Sequence, residues 1–407
     1  MGTNHESMRR RNLSGMLQII HNEGELSRTE LTTRMRLAPS TIGDLLGELE
    51  TLGFVALEDP TDHTSAGRPS PVARAQSGRV RVLVADVGGD HIAAGVFGLG
   101  GVMLARAQAP TPSSHEPEEV AEATAVLLRE LAADLPADAL VLGIGVGVAG
   151  IVGQDEVVRM APHLGWRDVA FLELLRARLP SPLLIRAGND ADLGALAEHR
   201  RGAGVGVSNL LYIGCDDFGV GGGIIVDGKP YRGEGGFAGE IGHMLIDPRG
   251  RECNCGSRGC WETEISVARV AQTLGMPGAG LHEVATALAG ISQPSAELVA
   301  VGEFLGLGIA SLVNILNVGL VVLGGNLRDL YPVVKDTTDA ALVRAALPAP
   351  LAQITVMPSQ MGADAVLVGA SEMIVNTLFE NPTQALTDIP TGSLTTAQGL
   401  PLEVTSH

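Results

Sequence analysis

Lysine is nearly missing from this chain of 407 residues: of its 28 basic residues only Lys229 and Lys335 are Lys, and the rest are Arg. The skew reads as a codon bias and carries no mechanism. Cysteine is scarce too, with four in the whole chain, too few to staple a fold of this size. That excludes a disulfide-framed secreted domain and fits a reducing compartment. Long hydrophobic runs are also lacking. The longest one read here, Ala139 to Gly153, falls short of the ~18 residues a spanning helix needs, and the N-terminus, with Asn4, His5 and Glu6, has no signal-peptide core. No membrane partner and a cytoplasmic location are expected. What is present is a globular composition, 45% hydrophobic and 18% charged, with 53 Gly that follow no three-residue period, so neither a disordered nor a collagen-like chain is indicated. The length implies two or three domains.

The net charge of −18 is unevenly spread. Residues 1–80 hold 9 Arg against 10 acidic residues, which leaves 19 basic and 36 acidic residues for the other 327. So acidic a body repels phosphate backbones, and any nucleic-acid contact is expected from the N-terminal segment, where Arg9, Arg10 and Arg11 stand together.

That segment has the pattern of a helix-turn-helix. Leu13, Met16, Leu17 and Ile20 recur at helical spacing, Ser27 and Glu30 form a Ser-x-x-Glu capping signal for a short second helix, and Pro39 suits the start of a third, Ser40 to Leu52. Gly53 to Leu57 reads as a strand and Thr61 to Pro71, with Gly67-Arg68-Pro69, as the loop of a wing. In such a module the third helix enters the major groove and a wing Arg reaches a minor groove, so Arg10, Arg11, Ser40, Thr41 and Arg68 are the candidate DNA contacts. Asp44 and Glu48, on the outer face of the third helix, oppose this reading, and a plain three-helix packing domain is the alternative.

From Val80 the text becomes α/β: strands at 80–87, 92–97, 102–108 and 140–148, helices near 118–135 and 169–179, the strand 183–187 and a helix from Ala191. A similar order recurs at 210–213, 222–226, 229–232, 320–323 and 354–356, with a helix near 331–345 between the last two. Two lobes of one design are expected, with a ligand cleft where their strand-end loops converge. The expected division is a winged helix at 1–78, a first lobe at about 79–190 completed by the helix 363–380, a second lobe at 191–362, and a mobile tail at 381–407.

His243, Cys253, Cys255 and Cys260 give His-x9-Cys-x-Cys-x4-Cys, a donor set suited to tetrahedral Zn2+ with no open position, hence structural. Beside it stand Asn189, Asp190, Glu240 and Glu262, carboxylates and an amide of the kind that bind adjacent hydroxyls of a sugar in bidentate fashion.

Asp86-Val-Gly-Gly, Gly188-Asn-Asp-Ala-Asp192, Gly239-Glu-Ile-Gly-His243 and Cys253-Asn-Cys-Gly-Ser-Arg-Gly-Cys-Trp-Glu262 resemble the ROK family of repressors and sugar kinases over residues 80 to about 380. With a winged helix in front, the likeness is to its repressor branch, which includes the xylose and N-acetylglucosamine repressors. The resemblance implies an actin-like, ribonuclease-H-like two-lobed domain. It implies sugar contacts at Asn189, Asp190, Glu240, His243 and Glu262, with Gly150 in the loop that closes over the ring, and a homodimer or dimer of dimers on operator DNA. In a kinase of the family Asp190 would be the base that takes the proton of the attacked hydroxyl. The nucleotide half departs from that pattern: Asp90 replaces a Thr or Ser, and Cys215-Asp216-Asp217-Phe218 replaces small residues of the second phosphate turn. ATP and Mg2+ are therefore not expected as cofactors, and Asp190 is expected to serve binding rather than catalysis. Ala149 for Pro and His163 for Asn depart near the sugar loop. The expectation is a sugar-responsive regulator, with an ATP-dependent sugar kinase carrying a DNA-binding module as the alternative.

Overall fold

The computed structural model describes residues 2–58, 71–179, 183–380 and 382–383. The first helix, Gly2–Glu23, buries the expected stripe of Leu13, Met16, Leu17 and Ile20 but begins well before it, so the three adjacent Arg lie on the helix rather than in an extended lead-in. At the second helix, Arg28–Met35, the Ser27 hydroxyl accepts the Glu30 N–H at 3.2 Å and the Glu30 carboxylate accepts the Ser27 N–H at 2.8 Å, a closed capping box. Arg36, at φ 53°, ends the helix in the left-handed region, and Pro39 opens the third, Pro39–Thr51, which buries Ile42, Leu45, Leu46 and Leu49. Val55–Glu58 forms the expected strand. Two short strands not read in the sequence complete a sheet with it: Val72–Ala75 lies in the middle, antiparallel to Glu25–Ser27 and to Val55–Glu58. The wing loop with Arg68 lies outside the described residues, as does the tail beyond Thr383.

Two larger sheets repeat one strand order. In the first, Val80–Val87 is central, with His91–Gly98 and then Val102–Pro110 on one side and Leu140–Val148 and then Ile185–Asn189 on the other. In the second, Leu210–Asp216 is central, with Gly219–Val226 and Lys229–Pro230 on one side and Leu320–Leu323 and Thr355–Pro358 on the other. Both read 3-2-1-4-5, the duplication anticipated from the recurring pattern. The helices Ala296–Leu316 and Asn326–Ala345 cover one face of the second sheet, burying Leu305, Ile309, Leu327 and Leu330 against Leu211, Ile213, Val321 and Leu323. The other face receives Ala191 and Ala195 of the helix Asp190–Arg201 on Tyr212, Ile225 and Val322.

The chain forms two compact units: residues 1–146, 170–186 and 374–407, and residues 147–169 and 187–373. The division differs from the expected one in three ways, the first being that the helix expected to complete the first lobe is split, with residues up to Met373 in the second unit. The winged helix groups with the first sheet. Residues 147–169, expected in the first lobe, group with the second unit, where Ile151–Val152, Val158–Ala161 and Trp166–Val169 make a small antiparallel sheet of their own. Contrary to the expectation that Ala139 to Gly153 is the longest apolar run, Ala296–Leu316 and Gly362–Glu380 are long and apolar enough to cross a bilayer. Each instead buries a large share of its length in the protein core, as Leu298, Val301, Leu305, Leu367, Ile374 and Leu378 show.

Candidate metal centre and ligand site

The His/Cys motif folds as a knuckle between two short bridges, Leu245 with Cys260 and Glu252 with Arg258, closed by Cys253 N–H to the Ser257 carbonyl at 2.9 Å. Trp261, fully buried, pins its end to the core by donating from Nε1 to the Phe304 carbonyl at 2.9 Å. The donor atoms of His243, Cys253, Cys255 and Cys260 all lie within 4.8 Å of one another. The Cys255–Cys260 sulfurs are 3.6 Å apart, and His243 Nδ1 is 3.7 Å from Cys253 Sγ. A tetrahedron with Zn–S of about 2.3 Å and Zn–N of about 2.0 Å has edges of about 3.5–3.8 Å; those two separations match it, and the four donors together could hold a metal ion. Burial raises the Cys253 and Cys260 thiols above the usual range, whereas the Ser257 N–H, helped by Cys253, lowers Cys255. A divalent cation among them would favour all three thiolates together.

Glu262 adjoins this cluster, its Oε1 2.8 Å from Cys253 Sγ and 3.6 Å from His243 Nδ1. Because His243 turns Nδ1 toward the sulfurs, its other ring nitrogen, Nε2, is left for a second partner. Desolvation, with Glu262 adding and His243 opposing, holds the Glu240 carboxyl above the ordinary carboxylate range.

Asn189 and Asp190 stand where the strand Ile185–Asn189 passes into the helix Asp190–Arg201. Asn189 caps that helix, its Oδ1 accepting the N–H groups of Ala191 and Asp192 at 2.9 and 3.1 Å, while its Nδ2 donates to the Gly150 carbonyl at 2.8 Å. One side chain thus holds both the helix and the loop. Only glycine fits at 150, since a Cβ there would lie 2.5 Å from the Met160 carbonyl oxygen. Asp190 Oδ1 accepts the Ala191 N–H at 2.9 Å.

Arg232 was not singled out in the sequence. It joins Asp192 Oδ2 at 3.1 Å to the Val152 carbonyl at 3.2 Å, tying the helix start to the Gly150 loop a second time. Desolvation, opposed by Arg232, pushes Asp192 up to about 6. Forty residues separate the pair, and nothing local marks it.

The polar groups of the turn at 215–219 are occupied by protein partners. Asp216 Oδ1 accepts the N–H groups of Phe218 and Gly219 at 2.8 and 3.1 Å, and Asp217 Oδ1 accepts that of Leu281, at the start of the helix Leu281–Ala289, at 2.7 Å. His163 donates from Nε2 to the Phe218 carbonyl, and its ring lies 4.7 Å from that of Phe218, so two departures from the family pattern touch each other. A Cβ on Gly219 would come within 3.1 Å of Glu262 Oε2, which sets this turn beside the metal knuckle. In the first unit, Asp90 is paired with its neighbour His91 at 2.8 Å.

On the winged helix, Arg9, Arg10, Arg11 and Ser40 are exposed and Thr41 is half-buried. Arg9 pairs with Glu48 at 2.6 Å, which neutralises one of the two carboxylates opposing the DNA reading. Asp44 stays exposed.

The ROK family model matches residues 82–377. This chain belongs to the ROK family. Among ROK relatives, a putative xylose repressor of a Caldicellulosiruptor species is 28% identical over 93% of this chain and 99% of its own. A glucokinase of Streptomyces coelicolor is 32% identical over 71% of this chain and 95% of its own. A crystal structure described as a ROK family transcriptional regulator, a homologue of the E. coli MLC protein, has the same fold: TM-score 0.75 at 23% identity, covering 93% of this chain and 98% of that one.

Proposed function

We propose that the protein is a sugar-responsive DNA-binding regulator of transcription, a repressor of carbohydrate genes, acting as a homodimer on a two-fold operator. The observation that carries this is the co-occurrence, in one chain, of a winged helix and a ROK domain that keeps the sugar-side residues while filling its nucleotide-side turn with its own carboxylates. The relatives agree: the repressor match covers 93% of this chain, and the glucokinase match covers only 71% of it.

In this reading Asp190, Glu240 and Glu262 accept sugar hydroxyls, His243 Nε2 takes another, and Asn189 and Arg232 hold the Gly150 loop over the ring. His243, Cys253, Cys255 and Cys260 would hold a structural zinc that keeps Glu262 and His243 in place for the ligand. Kinase chemistry is disfavoured electrostatically. A carboxylate about 4 Å from a phosphate charge costs on the order of 4 kcal/mol at an effective dielectric near 20, and Asp216 and Asp217 both stand at that turn. The test is to expose the full-length, zinc-loaded protein to a random duplex pool, sequence what it retains, and repeat the binding with a sugar panel. Enrichment of a two-fold motif that one sugar weakens is the expected result. No enrichment together with ATP-dependent consumption of a hexose, lost in Asp190→Asn, would favour the kinase instead.

A further inference from the structure

One helix belongs to both units: Ala365–Glu380 lies in the second as far as Met373 and in the first from Ile374 on. Within the second unit it is fastened to the helix Asp190–Arg201, which Asn189 caps. A Cβ on Gly369 would lie 2.0 Å from the Leu193 carbonyl oxygen, so the two backbones are in contact. Arg201 Nε donates to Glu372 Oε1 at 2.7 Å, with the two side chains 14% and 1% exposed.

Within the first unit its last turn meets the DNA-binding module. The ring of Phe379 stands edge-on to that of His21, centroids 5.3 Å apart at 65°. His21 is wholly buried in the final turn of the helix Gly2–Glu23, the helix that carries Arg10 and Arg11. Its Nδ1 accepts the N–H of Gly100, in the hairpin turn between the strands His91–Gly98 and Val102–Pro110. Burial alone would be met by leucine. An imidazole uses an in-plane lone pair toward the hairpin and its ring toward Phe379, so it fixes direction as well as volume.

We propose that the helix Ala365–Glu380 is a strut that carries occupancy of the site at Asn189 and Asp190 to the DNA-binding module, with His21 as the positioning residue at its far end. The proposal rests on the regulatory reading for its ligand and its output, but not for the mechanical link. From Gly369 to Phe379 the helix rises about 15 Å and carries axial displacement with little bending; Glu372 and His21 are buried at the contacts it joins, and Phe379 is half-buried.

Two experiments on the full-length protein decide it. The first uses no ligand and compares wild type, His21→Leu, Glu372→Gln and the double variant by thermal unfolding and by hydrogen exchange of peptides spanning the Gly100 turn. Distant, independent sites give additive effects, whereas the strut requires non-additivity and a rise of about fivefold or more in Gly100-turn exchange in Glu372→Gln. Additive midpoints with unchanged exchange overturn the strut, whatever the ligand. The second uses zinc-loaded protein with D-xylose and D-glucose as probes. Wild type and His21→Leu are expected to show the same sugar-induced thermal shift and the same sugar-free DNA affinity. The sugar-induced change in DNA affinity should fall from about tenfold in wild type to less than about twofold in the variant. A His21→Leu protein that responds like wild type overturns the strut. A wild type insensitive to every sugar contradicts the regulatory reading, and the ligand-free experiment then decides the strut by itself. Should His21→Leu not fold, Phe379→Leu, which keeps bulk and removes the ring, replaces it in both.

Discussion

In the proposed reading single side chains at this site serve both structure and ligand, and Asn189 is the clearest instance. Its amide caps a helix and clamps the Gly150 loop, so Asn189→Ala is expected to cost about 1 kcal/mol from the cap and to weaken sugar binding by about tenfold or more through the freed loop. Differential scanning calorimetry and isothermal titration would read the two effects separately. Asp216 gives a prediction in pH. Burial pushes its carboxyl up to about 6, with the Phe218 and Gly219 N–H groups pulling it down, so the folded state binds its proton more tightly than the unfolded one. Its contribution to stability is therefore full below the ordinary carboxylate range and lost as pH rises through about 6. Asp216→Asn keeps the acceptor oxygen and removes the charge. The variant should unfold about 1–3 °C above wild type at pH 7.5 and show little gain at pH 4.5 in thermal melts. The metal cluster was legible because all four donors fall within 18 positions of one another. Arg232 was not, because its partners Asp192 and Val152 are reached only through the tertiary fold.

At the scale of elements, legibility followed the strength of the local signal. The capping box at Ser27, the Pro39 start and the strands Val80–Val87, Leu140–Val148 and Leu320–Leu323 were each read from residues next to one another. Glu25–Ser27, Ile151–Val152 and Val72–Ala75 were missed, because so few positions leave alternation no room to declare itself and no apolar run marks them. The first helix carries Arg10 and Arg11 exposed, and Arg9 is occupied by Glu48. If Arg10 and Arg11 meet phosphates, replacing either by Ala should lower the slope of log affinity against log salt by about 1 without altering the preferred sequence. Fluorescence anisotropy across a salt series would show it, and a changed sequence preference would point to base contacts instead.

The whole molecule joins an N-terminal DNA-binding domain of the family type, a duplicated α/β body and a His/Cys knuckle able to hold a metal, and the regulatory reading needs them to be coupled. The duplication was visible as a recurring order of strands, and both sheets have the order 3-2-1-4-5. The grouping of the winged helix with the first sheet was invisible in sequence, because its joint is a histidine paired with a backbone N–H 79 positions away. Coupling between a sugar and DNA is worth about 1–3 kcal/mol in systems of this kind, or about 5–150-fold in affinity. The measurement that bears most directly on the account is the DNA affinity of the full-length protein with and without sugar, before and after zinc is stripped by a chelator. The expected result is a sugar response in that range for the loaded protein, and DNA binding that no longer responds once the metal is removed or Cys255→Ser is introduced. A full response without metal would contradict the role given to the knuckle, and an unresponsive loaded protein would contradict the regulator itself.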